Sequence, residues 1–393
     1  MNQPRHAAPR RPQRERPEVY RRRRTVAGLV AVTVLVAVAW LGSKAFGGSG
    51  GKASQPTTTS AAARSTTTSA PAAKGNPVTI AAVGDTILGN TPTLPPNPEA
   101  YLSPVSSTLA APIVFGNLEG VLTDNAGSSK CGAGSSSCYA FRNPTSYAGV
   151  FRHAGFTVMN AANNHSHDFG TQGVTDETAA LSAAGIAQVG LPGQVAVVSQ
   201  GKTKVAFVAF APYSNTANLL DLAGAKALID QAKAKAQLVV VYMHAGAEGS
   251  SATHVTGAEE TYVGEDRGNP QAFARMAIDQ GADLVIGSGP HVLRGLEWYH
   301  HRLIAYSLGN FAGYQNFGGG GALSLSGILR VTLNADGSYA TGRFVSVSLS
   351  GVNQPFVDSS GASASLVNQV SGADFGPNAA SIGGDGSISG PPA

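Results

Sequence analysis

The chain has 393 residues, of which 42% are hydrophobic and 13% are charged, and it contains 49 glycines, 22 prolines and two cysteines. The hydrophobic fraction is large enough for a buried core, which excludes a wholly disordered chain, and two cysteines exclude a disulfide-dense scaffold. Residues 1–24 carry nine arginines and two glutamates, so this tail is +7 and the other 369 residues carry −3 of the total +4. We therefore expect no basic groove for nucleic acid in the main part of the chain.

The N-terminal part predicts a cytoplasmic tail (1–24), a transmembrane signal anchor (25–43) and a flexible linker (44–76). Residues 26–41 read VAGLVAVTVLVAVAWL without a charge, and with their neighbours they approach the ~20 apolar residues that a spanning helix needs. The arginines precede this run, which predicts a cytoplasmic N-terminus and an extracytoplasmic main domain at the cell membrane. A cleaved signal peptide is the alternative, although the apolar run exceeds the usual ~7–15 residues. The linker prediction rests on a composition rich in Gly, Ser, Thr and Pro.

From residue 77 onward, short apolar runs alternate with helical patterns, which predicts an α/β fold with buried strands. The predicted strands are residues 78–83, 112–118, 156–162, 204–210, 237–243, 283–287 and 303–308. Helices are predicted over residues 222–237 and from Pro270, where Asn269 is a cap residue, to Gly281. Residues 328–333 and 342–349 flank NADG and predict a hairpin. The main domain is thus expected over 77–350, with a partly packed Gly/Ser-rich extension over 351–393.

Cys131 and Cys138 bracket the short segment GAGSSS. In an oxidising compartment, two cysteines that close such a small loop favour a disulfide. A redox-active pair is the alternative, and the absence of CxxC spacing disfavours it.

Polar side chains follow five of the predicted strands. They are Asp85, Glu119, the run Asn163, Asn164 and His165, then His244 and His291. Because ligands bind at the carboxyl ends of strands in open α/β sheets, we expect these side chains to converge. Oxygen and nitrogen donors without a thiolate suit Mn, Fe, Zn or Mg. Each residue taken alone is equally explained as a turn, cap or surface residue, but the agreement of five strand ends favours a shared site.

Such a donor set suggests hydrolytic chemistry. Two divalent ions ~4 Å apart repel each other, so a carboxylate must bridge them, and Glu119 is the candidate bridge. Asp85 would hold one ion, while Asn164 and His244 would hold the other. A water between the ions loses its proton near neutral pH and becomes a nucleophile toward an ester phosphorus. His165 is then expected to donate a proton to the leaving oxygen.

Several motifs resemble those of the bacterial capsule synthesis protein CapA family: GDTILG (84–89), NLEG (117–120), NAANNHSHDFG (160–170), HAGAE (244–248) and the block 281–311. That family is associated with poly-γ-glutamate capsule production and is a branch of the calcineurin-like metallophosphoesterase superfamily. The resemblance covers about residues 77–350. It implies a calcineurin-like four-layer α/β/β/α sandwich with mixed sheets and two divalent metal ions. By position it implies the metal-site residues Asp85, Glu119, Asn164, His244 and His291, with His165 as the proton donor.

Two positions depart from the superfamily pattern. The first motif usually reads Asp-x-His, but here Ile87 stands in place of that histidine. The last motif usually has a histidine where this chain has Ser288. Because a hydroxyl is a poor ligand for a borderline ion, one of the two ions is expected to be weakly held, absent or completed by water.

Four further residues are candidates for supporting roles. Asp168 is expected to act in catalysis by orienting His165 or a ligand, or else to cap a helix start. Arg142 would clamp an anionic substrate, with a surface salt bridge as the alternative. Glu248 and Asn310 follow strands and are expected to line the substrate pocket.

These features predict a membrane-anchored metal-dependent hydrolase that acts on a phosphoester or related anionic substrate in cell-surface polymer synthesis, attachment or export. A non-catalytic component of a membrane capsule-synthesis complex, which holds an anionic polymer such as polyglutamate, is the alternative, and Ser288 favours it. Hydrolysis of γ-glutamyl amide links by the same metal-bound water is a third possibility. The expected partners are the anionic polymer or phosphoester and the capsule-synthesis complex, and not nucleic acid.

Overall fold

A computed structural model of the protein describes residues 75–392, with the exception of residues 126, 133–137 and 318. The predicted tail and anchor, and nearly all of the predicted linker, lie outside these residues. Within the described part of the chain, no helix is long and apolar enough to cross a membrane.

The strands and helices follow each other through the whole described range. The strands are β1 (Val78–Thr86), β2 (Ile113–Leu118), β3 (Val121–Leu122), β4 (Arg142–Asn143), β5 (Val158–Asn160), β6 (Ala187–Val189), β7 (Ala196–Gln200), β8 (Thr203–Phe210), β9 (Leu238–His244), β10 (Thr261–Tyr262), β11 (Glu265–Asp266), β12 (Leu284–Ser288), β13 (Leu296–Tyr299), β14 (Arg302–Ala305), β15 (Asn310–Ala312), β16 (Leu325–Leu333), β17 (Tyr339–Leu349) and β18 (Pro355–Val357). The α-helices are α1 (Pro98–Tyr101), α2 (Ser106–Leu109), α3 (Tyr147–His153), α4 (Gly170–Ala183), α5 (Leu222–Lys233), α6 (Pro270–Asp279) and α7 (Ala362–Phe375).

The longer strands form two mixed sheets. The first sheet has the order β18-β17-β16-β1-β2-β5-β6, and β15 also pairs with β1. In it β1, β2, β5 and β6 are parallel, while β16, β17 and β18 are antiparallel to their neighbours. The second sheet has the order β13-β14-β12-β9-β8-β7, with β14, β12, β9 and β8 parallel.

Three groups of buried side chains show how the layers stack. Ile80 of the first sheet and Phe207 of the second belong to one core between the sheets. Ala81, on the opposite face of β1, packs with residues of α3 and α4. Val208 packs with residues of α5 and α6 on the outer face of the second sheet. Since strand side chains alternate between faces, each sheet is covered on both sides, and the result is a four-layer α/β/β/α sandwich with mixed sheets.

The predicted strands and both predicted helices are present, and the predicted hairpin corresponds to β16 and β17. The structure adds the edge strands β7 and β13 and orders the C-terminal extension. There β18 joins the first sheet, and Val367 of α7 reaches the core between the sheets. The extension therefore packs on the sandwich.

Gly84 allows the last residues of β1 to lie close to the segment that follows β14. A Cβ atom at Gly84 would lie 1.8 Å from the carbonyl oxygen of Gly309. The pairing of β1 with β2 shifts in register between Ala82 and Asp85, after which Asp85 pairs with Asn117. This irregularity brings a carboxylate and an amide side by side at the carboxyl edge of the first sheet.

Candidate metal centre

The carboxyl ends of strands from both sheets meet at one edge of the sandwich. Asp85 lies near the end of β1, Glu119 directly follows β2, and His244 ends β9. All three are fully buried, and one potential ligand atom from each lies within 4.8 Å of the others. Three of the five predicted metal ligands therefore converge on one point.

His291 lies against the same group. Its Nε2 is 3.5 Å from Glu119 Oε1, and its Nδ1 is 3.0 Å from Asp85 Oδ2 and 2.9 Å from Asn310 Oδ1, with which it forms a hydrogen bond. The backbone of His291 has φ of 62°, a left-handed conformation that costs about 1 kcal/mol in a non-glycine residue. Asn310, predicted to line the substrate pocket, thus contacts a candidate ligand.

Buried atoms without partners indicate that this group fits a cation. Of the nine buried side-chain atoms without a hydrogen-bond partner within the described residues, three belong to this group, Asp85 Oδ2, Glu119 Oε1 and His244 Nε2, and a fourth is Oδ1 of the predicted ligand Asn164. An unsatisfied buried polar atom costs about 1–3 kcal/mol. Because carboxylate and imidazole donors bind divalent cations, a metal ion would satisfy the atoms of Asp85, Glu119 and His244 together.

The charges of the cluster support the same interpretation. Burial and the neighbouring Asp85 carboxylate raise the pKa of Glu119 well above its usual range. Burial would lower the pKa of His291, but Glu119 and Asp85 together raise it to about 10. Burial and the Arg267 charge lower the pKa of His244, which leaves a neutral imidazole, the form that binds metals. The cluster therefore carries a negative potential that a cation would offset.

Asn117 was not selected from the sequence, although it organises the cluster. Its Nδ2 donates to Asp85 Oδ1 at 2.8 Å, and its Oδ1 accepts from Asn160 Nδ2 at 2.7 Å and from Asn163 Nδ2 at 3.0 Å. Its position two residues before Glu119 was the available signal, because alternate residues of a strand share a face.

Ser288 forms a hydrogen bond with Asp85, one of the predicted metal ligands. Its hydroxyl donates to Asp85 Oδ1 and forms a second hydrogen bond with the Tyr242 hydroxyl. The Tyr242 hydroxyl lies 3.4 Å from His244 Nδ1. At the position where the superfamily has a histidine, this chain therefore has a residue that hydrogen-bonds to a carboxylate of the cluster.

His165 and Asp168 form a buried pair beside the metal-ligand candidates. His165 Nδ1 lies 2.8 Å from Asp168 Oδ2, which also accepts from the Phe141 amide at 2.6 Å. Lys130 Nζ, missed in the sequence, lies 2.8 Å from Asp168 Oδ1. Burial lowers the pKa of His165, although Asp168 opposes this effect. The carboxylate holds a proton on Nδ1 and leaves Nε2 for exchange with a substrate.

The remaining predicted residues lie around the cluster. Glu248 Oε2 is 3.7 Å from His291 Nε2. The Arg142 guanidinium lies 3.4 Å from the Asp124 carbonyl oxygen and 5.6 Å from the Phe169 ring centre, and these contacts are separate from the metal-ligand candidates. The two cysteines, Cys131 and Cys138, are joined in a disulfide directly after Lys130.

The match of the chain to a protein family covers this site. The family described as bacterial capsule synthesis protein PGA_cap matches residues 79–315, which is more than half of the chain and includes all five predicted metal ligands. The chain belongs to this family. A relative, the PGA biosynthesis protein CapA of Bacillus subtilis strain 168, is 32% identical over 179 residues, covering 41% of this chain and 44% of that protein. The capsule biosynthesis protein CapA of Bacillus anthracis is 34% identical over 184 residues, covering 41% of each chain. Each match spans less than half of the relative's length.

Solved structures show weaker similarity. The 5'-nucleotidase precursor from Thermus thermophilus aligns with a TM-score of 0.38 and 13% identity, covering 72% of this chain and 54% of that chain. A purple acid phosphatase from yellow lupin seeds aligns with a TM-score of 0.33 and 11% identity over the same shares.

Proposed function

We propose that this member of the PGA_cap family is a metal-dependent hydrolase of cell-surface polymer metabolism, acting on a phosphoester or related anionic substrate. The observation that carries the proposal is the buried group of Asp85, Glu119 and His244, in which one potential ligand atom of each residue lies within 4.8 Å of the others and each residue has a buried atom without a hydrogen-bond partner. The names of the relatives support a role in capsule or poly-γ-glutamate synthesis.

The residues present would divide the chemistry between them. Asp85, Glu119 and His244, with His291 and Asn164, would hold divalent metal. A bound divalent ion supplies Lewis acidity and lowers the pKa of a coordinated water. Proton transfer would fall to His165, which is not one of the candidate metal ligands. Its Nε2 would donate a proton to the leaving oxygen, while Asp168 would fix the imidazole ring and stabilise its charged form.

A non-catalytic role in holding an anionic polymer is a second candidate. The hydrogen bond from Ser288 to Asp85 favours it, because this hydroxyl takes the place of a histidine ligand and also engages one oxygen of a candidate ligand. A site with fewer metal ligands than the usual metallophosphoesterase site would still attract the carboxylates of an anionic polymer through its metal ion.

We further propose that residues 25–43 anchor the protein in the cell membrane, with the sandwich on the extracytoplasmic side and a membrane capsule-synthesis complex as partner. The support is the uncharged run from residue 26 to 41 that follows the arginines of the tail. Protease treatment of intact and permeabilised cells tests this arrangement, because an extracytoplasmic sandwich is degraded in both and a cytoplasmic one only after permeabilisation.

The hydrolase proposal is tested with the full chain loaded with Mn²⁺ or Zn²⁺. Turnover of bis(p-nitrophenyl) phosphate and of a γ-linked glutamate oligomer is measured for the wild type, His165→Gln and the exposed control His153→Gln. We expect His165→Gln to lose about 10²–10⁴-fold in kcat on the glutamate oligomer, whose leaving amine needs a proton, with a smaller loss on bis(p-nitrophenyl) phosphate, whose nitrophenolate leaves unprotonated, and with its metal content unchanged. Metal-loaded wild type that turns over neither substrate would instead support the polymer-holding role.

A further inference from the structure

Two arginines are almost fully buried near the candidate metal centre, and they differ in one respect. Arg294 is 1% exposed and is fully engaged: Nη1 and Nη2 contact Glu260 at 2.9 and 2.7 Å, and Nε donates to the Ala252 carbonyl at 2.7 Å. Arg267 is also 1% exposed, but its Nη2 has no hydrogen-bond partner in the part of the chain that the structure describes. Since buried guanidinium nitrogens are rarely left unpaired, the free Nη2 requires an explanation.

The other contacts of Arg267 are with two residues of the segment that follows the candidate ligand His244, with Tyr213, and with the exposed Glu265, whose Oε2 lies 3.8 Å from Nη1. Its Nε donates to the Gly246 carbonyl at 3.1 Å, and its Nη1 lies 2.8 Å from Glu248 Oε1 and donates to the Tyr213 hydroxyl at 2.8 Å. The guanidinium is therefore held on two sides with one nitrogen left over. The free Nη2 of this guanidinium can donate a hydrogen bond to an oxyanion without a change in the position of the arginine side chain.

Glu248 lies between this arginine and the metal centre. Its Oε1 contacts Arg267 Nη1 at 2.8 Å, and its Oε2 lies 3.7 Å from His291 Nε2. The side chain of Glu248 is 13% exposed, whereas those of Asp85 and Glu119 are completely buried. Glu248 is thus the carboxylate of this group that can turn toward solvent, and doing so would open the space beside Arg267.

We propose that Arg267 binds an oxyanion of the ligand, a phosphoryl or carboxylate group, through Nη2 and Nη1 together, and that this ligand displaces the Glu248 carboxylate from Nη1. Arg267 is then a specificity-determining residue. The inference rests on the proposed function only in that the ligand enters at the metal centre; it requires no hydrolysis.

Opposite effects of two substitutions follow from this arrangement. Arg267→Lys keeps a positive charge but loses the planar pair of donors, so anion binding weakens. Glu248→Gln removes the competing carboxylate, so anion binding tightens, but only while Arg267 is present. Arg152→Lys is the matched control, because Arg152 lies on α3, its side chain is exposed and its Nη1 donates to the Phe156 carbonyl at 3.4 Å.

The experiment is calorimetric titration of the full Mn²⁺-loaded chain with inorganic phosphate and, separately, with glutarate. We expect Arg267→Lys to weaken binding of at least one anion by about tenfold or more, Glu248→Gln to tighten it several-fold, and Arg152→Lys to leave it unchanged. The double variant should lose the gain of Glu248→Gln. Tightening with phosphate alone assigns a phosphoryl ligand, and tightening with glutarate alone assigns a carboxylate.

The proposal is overturned if folded Arg267→Lys binds both anions as the wild type does, or if neither anion binds the wild type. If Arg267→Lys does not fold, Glu248→Gln decides alone, and unchanged or weaker binding refutes the displacement. Metal content and hydrolysis measured on the same samples separate the two claims. If anion binding depends on Arg267 but no substrate is hydrolysed, the result supports this inference and refutes the proposed hydrolase. If a substrate is hydrolysed but anion binding does not depend on Arg267, the result supports the hydrolase and refutes this inference.

Discussion

Replacing Asn117 with Asp tests how the negative charge of the candidate metal centre is balanced. Asn117 Nδ2 donates to Asp85 Oδ1 at 2.8 Å and lies 3.4 Å from Glu119 Oε2. In Asn117→Asp the shape is nearly unchanged, but the donor between two carboxylates becomes a third carboxylate. The metal-free protein then has a concentration of negative charge that only protonation or a cation can relieve.

The size of the effect follows from these distances. Two unit charges about 4 Å apart at an effective dielectric constant of ~20 repel by ~4 kcal/mol. Proton uptake caps the penalty, because each unit of raised pKa costs about 1.4 kcal/mol. We expect metal-free Asn117→Asp to lose about 3–4 kcal/mol of unfolding free energy at pH 8, which lowers Tm by roughly 5 °C for a domain of this size.

Thermal unfolding followed by circular dichroism, in chelator and in excess Mn²⁺, measures this effect. Mn²⁺ should raise Tm more in Asn117→Asp than in the wild type, since the cation offsets the added charge. Asn143→Asp is the matched control: Asn143 is buried and its Nδ2 donates to the Leu88 and Gly89 carbonyls, so Mn²⁺ should not rescue it. Equal Tm values for the wild type and Asn117→Asp in chelator, or equal rescue of both variants, would refute the placement of Asn117 between metal-binding carboxylates.

Two further substitutions test the fold around the site. Gly84→Ala should lower the free energy of unfolding by about 3 kcal/mol or more, because its Cβ would meet the Gly309 carbonyl at 1.8 Å. The control is Gly149→Ala at an exposed position of α3, where no atom lies within 4 Å of the added Cβ, and it should raise the free energy of unfolding by about 0.5–1 kcal/mol. Equal urea midpoints for these two variants would contradict the close approach of β1 to Gly309. Burial raises the pKa of Glu177 from 4.5 to about 8, so its contribution to stability is complete below pH 4.5 and is lost as the pH rises to about 8, by at most ~5 kcal/mol. Glu177→Gln should flatten this dependence in urea unfolding between pH 5 and 8, and an unchanged slope would argue against a buried neutral Glu177.

Much of the framework was predictable because it depends on local sequence. Apolar runs such as 237–243 predict buried strands by composition, and a parallel sheet places their carboxyl ends on one edge. These two facts place Asp85 and Glu119 together at the edge of the first sheet, and His244 joins them from β9 of the second sheet because the two sheets pack face to face. The four-layer arrangement came from the resemblance to a family and is confirmed by the packing of both sheets between helices.

Other parts of the site depend on contacts that no local pattern reveals. Arg267 lies in a polar segment beyond β11, and its partners Gly246 and Tyr213 are distant in the sequence. Lys130 reaches Asp168 only because of the path taken by the loop before β4. Arg142 was selected for its charge, but the sequence does not determine where its guanidinium points. Charged side chains on loops are therefore the least predictable part of this site.

Metal content is the most direct test of the candidate centre. The full chain is purified after supply of Mn, Fe and Zn, and bound metal is measured by mass spectrometry for the wild type, Glu119→Ala, His244→Ala and the control Glu177→Gln. We expect at least one equivalent of metal in the wild type and in Glu177→Gln, and its loss in the other two variants; two equivalents would indicate a dinuclear site despite Ser288. A folded wild-type protein that retains none of these metals would contradict a metal centre at this edge of the sandwich.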